Sequence, residues 1–285
     1  FTNFAAELTK DNPNHLSVYL PADHPQSPWP GVILGLGIVL SPAYWIASQA
    51  ILQRTLGAKS QWDASASMMF AAFAKTFVPL LIIFPGLLAL VLHAPIDEGD
   101  QALPWVIKNV LSPGLSGLMF VAVIAALQSS LDSSINATSL MVTRDIRHVL
   151  IKQHDPERDL VVGRWISLVL LLSAMAIAPF ISDLGGIFIF LQTGLSLFQG
   201  PMLALLLMGA LSQRATPTAG LWTLISGVIM AAGLQFTELN FYYIAFLSFC
   251  YSMTALWLLS YITPGLTNEE LKTLTYRPFI RRSNS

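Results

Sequence analysis

The chain has 285 residues, 54% of them hydrophobic and only 11% charged, with a mean hydropathy of +0.62 and a formal net charge of −1. A water-soluble domain carries about 25% charged residues, so this composition excludes one and calls for the lipid bilayer as solvent. The near-neutral balance, with no basic stripe interleaved with aromatics, also excludes nucleic acid as a partner.

The sequence opens on Phe1, and the polar stretch to residue 30 does not read as a signal peptide, so a preceding N-terminal part is expected. Seven apolar stretches follow, each long enough for the roughly 20 helical residues that cross a bilayer. They run over 32–53, 66–92, 115–143, 165–182, 187–211, 218–236 and 241–262. The first carries Ser41-Pro42-Ala43-Tyr44-Trp45 at its middle. Proline has no N–H and crowds the preceding turn, so a break is expected there, either a simple kink or the kind of broken helix that secondary transporters use at the midplane.

The second span holds Lys75, and the third holds Asp132 at similar depth. Charges within a membrane are costly and mark functional sites by default. The two either neutralise one another as a structural pair that keeps helices in register or face a watery cavity. The third span is also the most polar, Gln128-Ser129-Ser130-Leu131-Asp132-Ser133-Ser134-Ile135-Asn136. Helical spacing puts Ala126, Ser129, Ser130 and Ser133 on one stripe and Ser129, Asp132, Ser133 and Asn136 on the next. Hard oxygen donors with one formal negative charge suit a small monovalent cation. The alternative is close helix packing through small hydroxyl residues, and Asp132 tips the balance toward an ion site. In the fifth span, Gln192-Thr193-Gly194 lies toward the outside, and Gly200-Pro201 further in is either a hinge or a plain kink. The only cysteine, Cys250 in the seventh span, rules out an intramolecular disulfide and suits a core position.

With segment 1–30 outside, the inner loops hold Arg54, Lys59, Arg144, Arg147, Lys152, Arg158, Arg164 and Arg214, and the tail 263–285 adds Lys272, Arg277, Arg281 and Arg282. The outer loop 94–114 is acidic through Asp97, Glu98 and Asp100. The positive-inside rule therefore predicts an external N-terminal segment and a cytoplasmic tail.

Several of these residues together resemble the sodium/solute symporter family, and most closely its sodium/glucose cotransporter branch. They are Pro28-Trp29-Pro30-Gly31, Tyr44-Trp45, Gln49, Gln53-Arg54-Thr55-Leu56, Ala58-Lys59, the Lys75 helix with Pro79 and Pro85-Gly86, and Ser129-Ser130-Leu131 through Asn136 to Thr143-Arg144-Asp145-Ile146. The resemblance implies an all-α, multi-pass membrane protein with the LeuT-type inverted-repeat transporter fold. On that basis residues 31–211 are the second five-helix repeat and 212–262 two peripheral helices, while the first repeat is a missing partner from the same transporter. It implies sodium ligation by the Ala126 carbonyl and the Ser129 and Ser130 hydroxyls. Asp132 and Ser133 match the positions of a second sodium in some relatives; Asp132 stands where they more often carry a small hydroxyl residue, which leaves open sodium, a proton or a changed site. Ser41, Lys75 and Gln192 match solute contacts of sugar-binding relatives, with Tyr44 as the inner aromatic gate. Ser41 departs from the amide of one such relative, so the solute is a sugar, a related polyol such as inositol, or another organic solute such as sialic acid.

Seven spans with an outside start would also suit a seven-helix receptor, but the midplane Lys75 and Asp132 and the serine-dense third span speak against that. An intramembrane enzyme is disfavoured because no His/Cys/Glu cluster lies in the spans, and His148 and His154 fall in a polar loop.

Overall fold

The structure is a computed structural model that describes residues 2–11, 16–17, 20–147, 151, 155–212 and 214–265. His148, Lys152, His154 and the basic residues of the tail, Lys272, Arg277, Arg281 and Arg282, lie outside the described residues. All regular structure among the described residues is helical. In chain order the helices are α1 (Thr2–Asp11), α2 (Trp29–Ala47), α3 (Gln49–Leu56), α4 (Gln61–Val91), α5 (Ala102–Asn109), α6 (Pro113–Met141), α7 (Pro156–Ile177), α8 (Gly186–Leu211), α9 (Pro217–Leu234) and α10 (Phe241–Ile262). Seven of them, α2, α4 and α6–α10, are long and apolar enough to cross a membrane.

Two compact units divide the chain, Phe1–Ser17 with Gln49–Ile187, and Val18–Ser48 with Phe188–Ser285. The repeat boundary expected at residue 211 and the grouping by packing are thus different partitions of the same helices.

In the first unit, Ser60 starts α4 as its N-cap. Its hydroxyl accepts from the Asp63 N–H at 3.1 Å and donates to the Asp63 carboxylate at 2.8 Å. Ser60→Ala should therefore cost about 1 kcal/mol, read as a fall of a few degrees in Tm. At the other end the chain turns sharply through His93, φ 48°, with Ala94 N–H on Ala89 O and His93 N–H on Leu90 O. This paired bonding closes a helix through a left-handed residue. The turn lays α5 back on α4, where Ala89, Ala102 and Val106 form a small core with Trp105 against it.

The loop after the second span is thus partly helical. Its acid Asp100 has a structural task, accepting the Ile187 N–H at 2.9 Å at the start of α8. Segment 1–30, read from the sequence as a polar outer stretch, contains α1, which buries Leu8 and stacks Phe4 on Phe84. Both elements are too short for a spanning pattern.

In the second unit, helices approach through small residues. Gly31 and Gly35, four apart on α2, both lie against Tyr242 of α10. A Cβ on Gly35 would sit 2.6 Å from the Tyr242 carbonyl carbon and Cα. On α9, Ala219, Thr223, Gly227 and Ala231 are buried at four-residue spacing. Gly227 opposes Ser252 and Pro201. Close approach through small residues drives helix association in lipid, where apolar burial gives no advantage. Asn240 caps α10 through the Tyr242 N–H at 3.1 Å and, with its amide NH2, holds the carbonyls of Pro25 and Gln26.

The break expected in the first span comes out differently. The first span breaks at Ser48, which is extended (φ −74°, ψ 112°), rather than at Ser41-Pro42. Ahead of Pro42 the chain instead widens into a π-helix over Val32–Leu40, with the Ser41 N–H on Leu36 O. That widening accommodates a residue that lacks an N–H and crowds the turn before it. The fifth span passes through Gly200-Pro201 as one continuous helix, with both residues buried in packing.

Candidate functional site

The serine-rich third span is α6, extended past Met141 by a π-turn over Val142–Arg147. Ala126, Ser129, Ser130 and Asp132 are exposed along it, and Ser133 is half-buried. The Ser133 hydroxyl donates to the Ser129 carbonyl at 2.9 Å and accepts from the Arg54 guanidinium at 2.6 Å. A hydroxyl has one donor and two acceptor positions, so Ser133 keeps one lone pair for a further ligand. Arg54 comes from α3, just after the Ser48 break. The residue that ends the Tyr44–Arg54 stretch thus reaches the predicted ion helix, a link that the spacing did not reveal.

Asp132 opens toward α7, where it lines a groove with Asn136 of its own helix and Ser167. Lys75 is exposed at the middle of the 31-residue α4. The first unit therefore holds Lys75 and all five predicted ion ligands.

Ser41, Tyr44 and Gln192 belong to the second unit. Ser41 opens the α-helical end of α2 immediately after the π segment, half-buried, and Tyr44 is 41% exposed with its ring edge-on to Trp45 at 6.2 Å. Gln192 is half-buried near the start of α8. One turn on, Ser196 is fully buried, donates to Thr193 O at 2.7 Å and accepts from the Gln235 amide at 3.1 Å. Among the described residues no group of three or more His, Cys, Asp or Glu could hold a metal ion.

Seven apolar helices, one of them π-wound and then broken, and a mid-span face of hydroxyls and one carboxylate define a multi-pass α-helical membrane protein of the transporter type. A Na+-coupled sialic acid symporter, solved in a substrate-bound outward-open state, shares the fold at a TM-score of 0.73 and 22% identity, over 85% of this chain and 52% of its own. That is the LeuT-type inverted-repeat fold. The model of the sodium:solute symporter family matches residues 2–227, and the chain belongs to that family, whose members are transporters and not enzymes. It is similar to human sodium/myo-inositol cotransporter 2, at 32% identity over 76% of this chain and 34% of the relative. It is equally similar to the sodium/glucose cotransporter of Vibrio parahaemolyticus, at 32% identity over 80% of this chain and 46% of the relative. The chain spans about a third to a half of the length of these relatives.

Proposed function

We propose that this chain is part of a sodium-coupled symporter that moves a small organic solute, a sugar or related polyol, by alternating access. The observation that carries this reading is the exposed stripe of Ala126, Ser129 and Ser130 on α6, with Asp132 and Ser133 beside it. It is a row of hard oxygens on a mid-span helix in a chain of the sodium:solute symporter family. In this reading the Ala126 carbonyl and the two serine hydroxyls ligate the transported sodium, and partners on a helix of the preceding repeat complete the shell. Ser41, Lys75 and Gln192 hold the solute, with Tyr44 as the inner aromatic gate. Residues 31–211 form the second inverted repeat and 212–262 the two added helices, with the N-terminal segment outside and the tail in the cytoplasm.

Coupling follows from linkage. Sodium favours solute binding only if both prefer the same conformation. Within the first unit Arg54 joins the segment after the Ser48 break to Ser133, one turn from Ser129 and Ser130.

The names of the similar proteins support inositol and glucose as first solutes to test, and the sialic acid symporter supports the wider panel. The test is uptake of labelled myo-inositol, glucose and sialic acid by the complete protein in vesicles, in sodium and with sodium replaced by choline. Uptake of one of these only in sodium is the expected result. Equal uptake in choline would remove the coupling, and sodium-dependent uptake of sialic acid alone would move the solute class from polyol to acid.

A further inference from the structure

Where α6 and its π extension meet α7, a cavity of about 640 Å³ opens. Arg144 and Arg164 line it, together with Ser139, Thr143, Ser167 and Asp159. Asp159 is engaged by Arg147 in an ion pair whose side chains are only 13–14% exposed. The lining itself sets two arginines against one carboxylate, and counting the Arg147 that pairs with that carboxylate the four side chains carry an excess of about two positive charges.

The hydroxyls add polarity of a specific kind. Ser139 and Ser167 both donate to the Gly163 carbonyl, each at 2.9 Å, so their protons are spent there and Thr143 is the hydroxyl left to donate. Thr143 is 5% exposed, and its Oγ1 has no hydrogen-bond partner among the described residues. A buried hydroxyl without a partner costs about 1–3 kcal/mol, and a ligand oxygen in the cavity would satisfy it. Gly163 lets α7 lie close on α6 beside the cavity, because a Cβ there would come within 3.2 Å of Ser139 Oγ.

The place of the cavity along the helix narrows the ligand. The helical run Pro113–Arg147 has 35 residues, about 52 Å at 1.5 Å per residue, against a hydrocarbon core of about 30 Å. Its arginine-bearing end therefore reaches a headgroup layer. The rim adds Leu140 and Leu160, 38% and 66% exposed. Basic pockets between transmembrane helices bind anionic headgroups, and guanidinium groups match phosphate in a forked geometry.

We propose that this cavity binds a phosphate-bearing anion, the headgroup of an anionic phospholipid. Arg144 and Arg164 hold the phosphate, the Thr143 hydroxyl donates to one of its oxygens, and the acyl chains leave over Leu140 and Leu160.

The complete protein, purified from vesicles of phosphatidylcholine with one quarter phosphatidylglycerol, provides the test, with retained lipid read by native mass spectrometry. The wild type should retain phosphatidylglycerol over phosphatidylcholine, and Arg144→Gln with Arg164→Gln should weaken that preference about tenfold or more. Thr143→Val keeps the volume and removes an unpartnered hydroxyl, so it should lower retention severalfold with Tm unchanged or raised. If the double variant does not fold, Arg164→Gln alone and Thr143→Val decide the matter. Equal retention of both lipids by the wild type, or full retention by the variants, would overturn the proposal. Displacement of the lipid by millimolar inorganic phosphate would assign the site to a soluble phosphate and overturn the lipid source. Binding is read without transport, so failure here is distinct from failure of the symport reading.

Discussion

Ser130→Ala in the complete transporter should raise the sodium concentration for half-maximal uptake about tenfold or more, equivalent to about 1.4 kcal/mol for a lost ligand. Ser130 suits this experiment because it is exposed on α6 and makes no side-chain hydrogen bond among the described residues. Alanine is the strongest helix former, so the exchange should leave the helix intact and act on the ion alone. Ser134→Ala, on the same helix but outside the predicted stripe, should leave sodium dependence as it was. Sodium titration of uptake in vesicles checks both variants. An unchanged half-saturation in Ser130→Ala would remove the ion site from this face of α6.

The second large effect is on stability. Gly35→Ala places a methyl group 2.6 Å from the backbone of Tyr242, and backbone cannot turn aside as a flexible side chain can. Overpacking a well-filled interface costs about 1–3 kcal/mol and sometimes more; with main chain on the receiving side, about 3 kcal/mol or beyond is expected. Gly31→Ala should be milder, since its Cβ would meet Tyr242 Cβ at 3.2 Å. Gly37→Ala meets only Val32 O at 3.7 Å and should be tolerated. Thermal unfolding of the three purified variants in detergent should rank them in that order, with Gly35→Ala lowest. A Gly35→Ala protein as stable as Gly37→Ala would show that α2 does not lie against α10 as described.

Much of the fold was legible because the bilayer imposes a simple rule. A spanning helix needs a long apolar run, and all seven runs became helices that meet it. What stayed hidden depends on tertiary contact. The run from Val32 to residue 53 is unbroken in hydropathy, so nothing local placed the interruption at Ser48 rather than at Pro42. Gly31-Val32-Ile33-Leu34-Gly35 carries the small-residue spacing of a helix interface, a signal that was present and passed over. Helices α1 and α5 have ten and eight residues, and only the core against α4 shows why they form.

The candidate site was legible as chemistry more than as geometry. Intramembrane Asp132 and Lys75 and the serine stripe stand out by cost alone, whereas the bond from Arg54 to Ser133 joins residues 79 apart and has no sequence pattern. Thr143, Arg144 and Arg164 were visible only as part of a resemblance or as loop charge. Their shared cavity depends on how closely Gly163 lets α7 approach α6.

The π-wound segment Val32–Leu40 has a consequence for every experiment that scans this span. A π-helix pairs each N–H five residues back and so winds more slowly than an α-helix. Gly31, at its entry, is therefore out of phase with Ser41 and Tyr44, at its exit, on any helical wheel drawn with one period. Cysteine-accessibility or tryptophan-scanning data folded on 3.6 residues would assign Tyr44 to the wrong face of the helix. The span has two angular frames joined at Leu40, and solute-facing and lipid-facing positions have to be read separately in each.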